Sequence, residues 1–196
     1  QIKEGDYVIV SLGINDNSSN GYGTTKKQFI ENLKRIASDA MKKGAEVIFV
    51  TPTIATGPEG GNSFINSWGN RGEYVRQAAS ESGLYCIDLG EYCTEFYTSL
   101  MHEYNSEAGL APDDSYGYNK VCYRFNIFRT NLLQPESEGG FGYTEETIEN
   151  CLVYHVRKNG RGYDGTHMNV RGAEEIAGII CEFLKKSGLP IANNLK

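Results

Sequence analysis

Long apolar runs are missing from this 196-residue chain; the longest are strand-sized, so no segment is fitted to cross a bilayer as a helix. Clustered basic charge is missing too. Nineteen Lys and Arg stand against 25 Asp and Glu, the net charge is −6, and no basic stripe forms, which argues against nucleic acid and anionic membranes as partners. Five cysteines (Cys86, Cys93, Cys122, Cys151 and Cys181) are scattered without a C-x-x-C pair, which argues against a zinc knuckle, and most read as core thiols. No G-x-S-x-G occurs, so a nucleophile elbow is excluded. The chain opens on Gln1 rather than Met, with a buried-strand pattern already under way at Tyr7. The expectation is a piece that begins inside a domain, and the lack of a leader carries no information on compartment.

What is present fits an ordinary globular protein: 39% hydrophobic and 22% charged residues, with 13 Tyr. Tyr7–Leu12, Glu46–Thr51 and Leu84–Leu89 are near-continuous apolar runs, the pattern of parallel strands covered on both faces. Between them lie helical patterns. Thr25 with Gln28 makes a capping box for a helix to about Lys43, whose Phe29, Ile30, Leu33, Ile36, Ala37, Ala40 and Met41 recur at helical spacing. A second helix opens at Asn70 and Glu73 and closes at Gly83; a third runs from Glu91 to about Tyr104; the last runs from Val170 to Lys186. This alternation predicts an α/β fold, a three-layer sandwich around a parallel sheet with right-handed crossovers. From Asn105 to Tyr163 the pattern breaks into an aromatic-rich insert with a short helix expected after Thr144, read as a wall or lid over the cleft.

Chemistry concentrates in two stretches. Gly13-Ile14-Asn15-Asp16 follows the first strand, and in open parallel sheets the crevice lies beyond the carboxyl ends of the strands. There an Asn amide can donate to a developing oxyanion, with Gly13 permitting close backbone approach. The plainer alternative for Asn15 is an Asx-turn, and Asp16 more naturally buttresses the loop than reacts. Near the other end, Asp164-Gly165-Thr166-His167 precedes the last helix. A carboxylate beside the imidazole within one tight turn would accept from Nδ1–H and leave Nε2 as a general base. The alternative is a solvated Asp164 and a helix-capping His167.

Together these stretches resemble the SGNH (GDSL-type) hydrolases: Gly13-Ile14-Asn15-Asp16 matches that family's G-x-N-D block and Asp164-x-x-His167 its D-x-x-H block. Gly5-Asp6-Tyr7 before the strand, the passage from Tyr74 to Leu89, and the Gly172-Ala173 helix after His167 place the resemblance nearest the rhamnogalacturonan acetylesterase-like branch. It covers Gly5–Leu89 and Asp164–Leu184 but not the insert. It implies the flavodoxin-like SGNH fold with the N-terminal strands missing, residues 1–196 being the C-terminal part of one such domain with an insert at about 105–163. It also implies His167 as general base, Asp164 as its orienting carboxylate and Asn15, supported by Gly13, as an oxyanion donor. The implied reaction is ester hydrolysis through an acyl-enzyme, on O-acetyl groups of a carbohydrate, with no cofactor and no metal.

The family's serine block has no match. Asp114-Ser115-Tyr116-Gly117 has a superficial likeness to it, but its approach is polar and broken by Pro112, with no strand to aim the hydroxyl; Ser11 lies within a strand pattern and is expected to be inaccessible. The expectation is that the nucleophile is not in this chain and that a missing N-terminal segment of the same protein is its partner. Two other classes stay open: a non-catalytic SGNH-like carbohydrate-binding module, and a metal-dependent hydrolase using Asp16, Asp164 and His167.

Overall fold

The three apolar runs pair side by side as the pattern predicts. In the computed structural model, β1 (Tyr7–Val10), β2 (Glu46–Val50) and β3 (Tyr85–Ile87) form one sheet in that order, every pair parallel, with Ile9 opposite Ile48 and Phe49 opposite Cys86. The structure describes residues 1–16, 23–56, 61–65, 68–128, 133, 135–138, 142, 144 and 163–195, without the side chains of Phe128, Glu136, Tyr163 and Asp164. The short helix expected after Thr144 and Cys151 lie outside the described residues. The chain divides into two compact units, one of Gln1–Ile54, Asn66–Cys93 and Ile180–Lys196, the other of Ala55–Ile65 and Thr94–Ile179.

The first unit holds the sheet. Helix α1 (Lys26–Met41) begins at the predicted capping box: the Thr25 hydroxyl accepts the Gln28 N–H, and the Gln28 side chain accepts the Thr25 N–H at 3.0 Å. Two donors that a helix start would leave unpaired are thereby satisfied. Phe29, Ile30, Leu33, Ala37 and Ala40 are buried against Val47 and Phe49 of β2 and against Val75, Ala78 and Ala79 of α2 (Arg71–Ser82). Each large side chain so buried contributes about 1.5–3 kcal/mol before entropy is counted. Ile36 and Met41, expected in the same stripe, are exposed. Asn70 precedes α2 without a side-chain cap, and Gly83 ends it. On the sheet face opposite α1 and α2, burial changes abruptly along one rung. Ile48 is 1% exposed, and Ile9, its partner on the edge strand β1, is 46% exposed.

The second unit contains most of α3 (Leu89–Glu107), then α4 (Ser115–Phe125), β4 (Asn126–Phe128), β5 (Tyr163–Met168) and the first part of α5 (Val170–Lys186). The first third of the expected insert is thus regular structure, and its aromatics build a core. Tyr118 stacks on Phe64 at 4.6 Å and Tyr97 lies 4.5 Å from Phe125, whereas Tyr116 and Tyr123 remain exposed. Asn105, fully buried, donates to the carbonyls of Pro112 and Asp114 and accepts the Gly117 N–H, so one amide sets the turn between α3 and α4. Cys93 and Cys122 are buried as expected of core thiols, and burial pushes the Cys93 thiol up to about 12.

Candidate active site

The loop after β1 is built around a glycine that no other residue replaces easily. Gly13 is buried at φ +128°, a region that L side chains avoid, and a Cβ there would meet Arg71 Cβ and Pro52 Cγ at 3.2 Å and Phe29 Cζ at 3.3 Å. The backbone therefore turns at the strand end, and Asn15, two residues further on, is exposed. The carbonyl of Asp16 accepts from the Thr24 N–H at 3.4 Å and from Arg71 Nη2. These bonds tie the Asp16 main chain to Thr24 and to the start of α2. Ser11 departs from expectation: β1 ends at Val10, and Ser11 is exposed rather than shut inside a strand.

The neighbouring strand ends are also tied down. The buried Thr51 hydroxyl donates to Asp88 Oδ1 at 3.0 Å and accepts the Gly90 N–H at 2.9 Å, while Asp88 Oδ2 pairs with Arg76 at 2.6 Å. The carboxyl ends of β2 and β3 are joined by side chains as well as by the ladder.

In the second unit, Asp164 and His167 stand on β5, an extended strand, where the sequence suggested a tight turn. β5 pairs antiparallel with β4, with Met168 opposite Asn126 but Asp164 opposite Ile127, so Gly165, Thr166 and His167 fall between successive rungs as a bulge. A bulge interrupts the strict alternation of side chains and re-aims them. Thr166 and His167, consecutive residues, are accordingly both exposed. A regular strand would put positions 164 and 167 on opposite faces, and the bulge lies between them.

Buried amides hold this bulge. The Thr56 N–H donates to the Gly165 carbonyl at 2.9 Å, and its hydroxyl donates to Asn126 Oδ1 at 2.8 Å. Asn126 Nδ2 donates to the His167 carbonyl at 3.4 Å. Asn169, 3% exposed, donates to the Asn126 carbonyl at 2.7 Å and accepts the Gly172 N–H at 2.8 Å, capping α5. A Cβ on Gly165 would collide with the Thr56 carbonyl, and one on Gly172 with the Phe125 carbonyl. Glu175, one turn into α5, is clamped by Arg124 and Arg171. Burial would raise its carboxyl, but the hydrogen bonds from both guanidiniums outweigh this and hold it below the ordinary carboxylate range.

Ser115 is the first residue of α4, behind an Asp114 cap that accepts the Tyr116 N–H at 2.8 Å. The Asp-Ser pair is a helix start, with no strand behind it. Sequence reasoning missed Arg71, Thr56, Asn126 and the capping role of Asn169. Only the last left a local signal, an Asn three residues before a Gly at a helix start.

The GDSL-like Lipase/Acylhydrolase family model matches residues 1–180. Two curated proteins of Bacillus subtilis (strain 168) align over 99% of this chain: the "Probable rhamnogalacturonan acetylesterase YesY" at 26% identity, covering 69% of that protein, and the "Rhamnogalacturonan acetylesterase RhgT" at 24%, covering 67%. The "Uncharacterized esterase YxiM" of the same organism is 33% identical over 106 residues, 52% of this chain and 27% of that one. The crystal structure of YxiM shares the fold, with a TM-score of 0.59 at 23% identity over 96% of this chain and 39% of its own. The chain thus spans a minor part of YxiM and about two thirds of the two acetylesterases. It belongs to the GDSL-like lipase/acylhydrolase family.

Proposed function

We propose that this chain carries the general base, its orienting carboxylate and one oxyanion donor of a serine-type hydrolase that removes O-acetyl groups from a polysaccharide, with rhamnogalacturonan as the first substrate to try. Family membership supports ester hydrolysis, and the names of two relatives suggest the substrate. The observation that carries the reading is the exposure of Asn15 just past the carboxyl end of a parallel strand, on a loop locked by Gly13.

In this mechanism His167 Nε2 takes the proton of a serine hydroxyl as that oxygen attacks the acetyl carbonyl. Asp164 holds the imidazole in the tautomer that leaves Nε2 free. Asn15 Nδ2 donates to the oxyanion of the tetrahedral intermediate, and the alcohol of the sugar leaves with the proton from His167. Water, activated by the same imidazole, then releases acetate from the acyl-enzyme. The serine is assigned to another segment of the same protein, because Ser115 opens a helix and neither it nor Ser11 stands in a Gly-Asp-Ser block.

The test is acetate release by the full-length protein from acetylated rhamnogalacturonan and from a small activated acetate ester. His167→Ala is expected to lower kcat by about 10³-fold or more, and Asn15→Ala by about 10²–10³. A His167→Ala protein with the wild-type rate would sink the mechanism. A full-length protein that binds the glycan but never releases acetate would make it a binding module.

A further inference from the structure

Arg71, the first residue of α2, is only 9% exposed, and its surroundings are unusual for a buried cation. Its guanidinium carbon lies 5.0 Å from the Phe29 ring centroid and 5.6 Å from that of Tyr74, so two aromatic faces shelter the charge. Nη2 donates to the carbonyl of Asp16 and, at 3.2 Å, to that of Thr24. At the other end of the side chain, Cβ is among the atoms against which Gly13 is packed. One residue thus touches the first residue of the Gly13–Asp16 loop and holds the carbonyl of the last, with Asn15 between them.

The arrangement is costly. Nη1 and the Thr24 hydroxyl are buried with no hydrogen-bond partner among the described residues. A buried unsatisfied donor weighs against stability, and an apolar side chain between Phe29 and Tyr74 would avoid that cost. What such a replacement could not do is hold two carbonyls at the turn. An oxyanion donor helps only if its aim is fixed before the reaction, within about half an ångström.

We propose that Arg71 is a positioning residue for the oxyanion hole, fixing the Asp16 carbonyl and through it the aim of Asn15. This rests on the role proposed above for Asn15. A single guanidinium nitrogen, Nη2, donates to both carbonyls, and the flat group seated between two aromatic rings fixes the direction of its N–H bonds, which a freely rotating lysine ammonium does not.

A double-mutant cycle in the full-length protein, assayed on an activated acetate ester, separates positioning from mere support. Arg71→Met is expected to lower kcat by about 10–10²-fold with KM nearly unchanged, and in the Asn15→Ala background its further effect should fall below about threefold. Arg71→Lys, which keeps the charge without the planar group seated between the rings, should recover only part of kcat, and it carries the same cycle if Arg71→Met does not fold. Equal losses in both backgrounds, or an undiminished kcat, would overturn the proposal while leaving the oxyanion role of Asn15 intact. Full activity of Asn15→Ala alone, or no turnover by the wild type, would overturn that role and this inference together.

Discussion

The side-chain amide of Asn169 donates to the main-chain carbonyl of Asn126 at 2.7 Å, while its oxygen accepts the N–H of Gly172. One buried side chain thereby joins the end of α4 to the start of α5, two residues beyond His167. Asn169→Ala should lose these bonds and a third, to the Tyr123 carbonyl at 3.3 Å, lowering unfolding stability by about 1–3 kcal/mol in denaturant titration. Asn169→Asp keeps the cap acceptor but loses the donor, so it should recover only part.

Two glycines of α5 should respond with opposite signs. A Cβ on Gly172 collides with the Phe125 carbonyl, and one on Gly178 meets nothing within 4 Å. Gly172→Ala is expected to destabilise by about 1–3 kcal/mol, because backbone must move. Gly178→Ala, at an exposed helical position, should stabilise by about 0.4–1 kcal/mol. Matching midpoints for the two variants would contradict the close approach of α4 and α5.

The Arg124–Glu175 pair gives a pH signature. Because the Glu175 carboxyl is depressed in the fold, its contribution is fully present above the ordinary carboxylate value, about 4.3, and is lost as pH falls through the depressed one. Arg124→Gln should therefore be destabilised most at neutral pH, by about 1–3 kcal/mol, and the gap to wild type should close in acid. A gap independent of pH would mean that Arg124 acts through packing on its other neighbours.

At Ser115 the expectation is silence in the assay. Ser115→Ala should leave acetate release unchanged, because its hydroxyl opens a helix. Asp114→Ala should cost about 1 kcal/mol of stability through the lost cap, again with activity kept. Loss of acyl-enzyme formation in Ser115→Ala would place the nucleophile inside these residues.

The strands and helices of the first unit were legible because their apolar spacing is local and strong. Thr25 and Gln28 announce α1 within four positions, and Val47–Val50 can hardly be anything but a buried strand. α4 was hidden: Tyr118, Val121, Cys122 and Phe125 do recur at helical spacing, but Gly117 and Asn119 made the segment look like loop. β5 could not be read at all, since a Gly-containing polar segment with a bulge becomes a strand only through β4, some 40 residues earlier in the chain. The same holds for the candidate site. Asn15, Asp164 and His167 stood out as motifs, whereas Arg71 reaches partners 55 and 47 positions away and leaves no local trace.

The unequal fate of Ile9 and Ile48 on one rung gives the sheet a direction of growth. Among the described residues no strand pairs with the outer edge of β1, which carries an exposed isoleucine on one face. An incoming extended segment gains both a ladder and a dry side-chain contact there. Pleat alternation would also select its phase, since only segments that put apolar residues on the Ile9 side gain the contact. A charge at position 9 would remove that contact and so weaken the pairing.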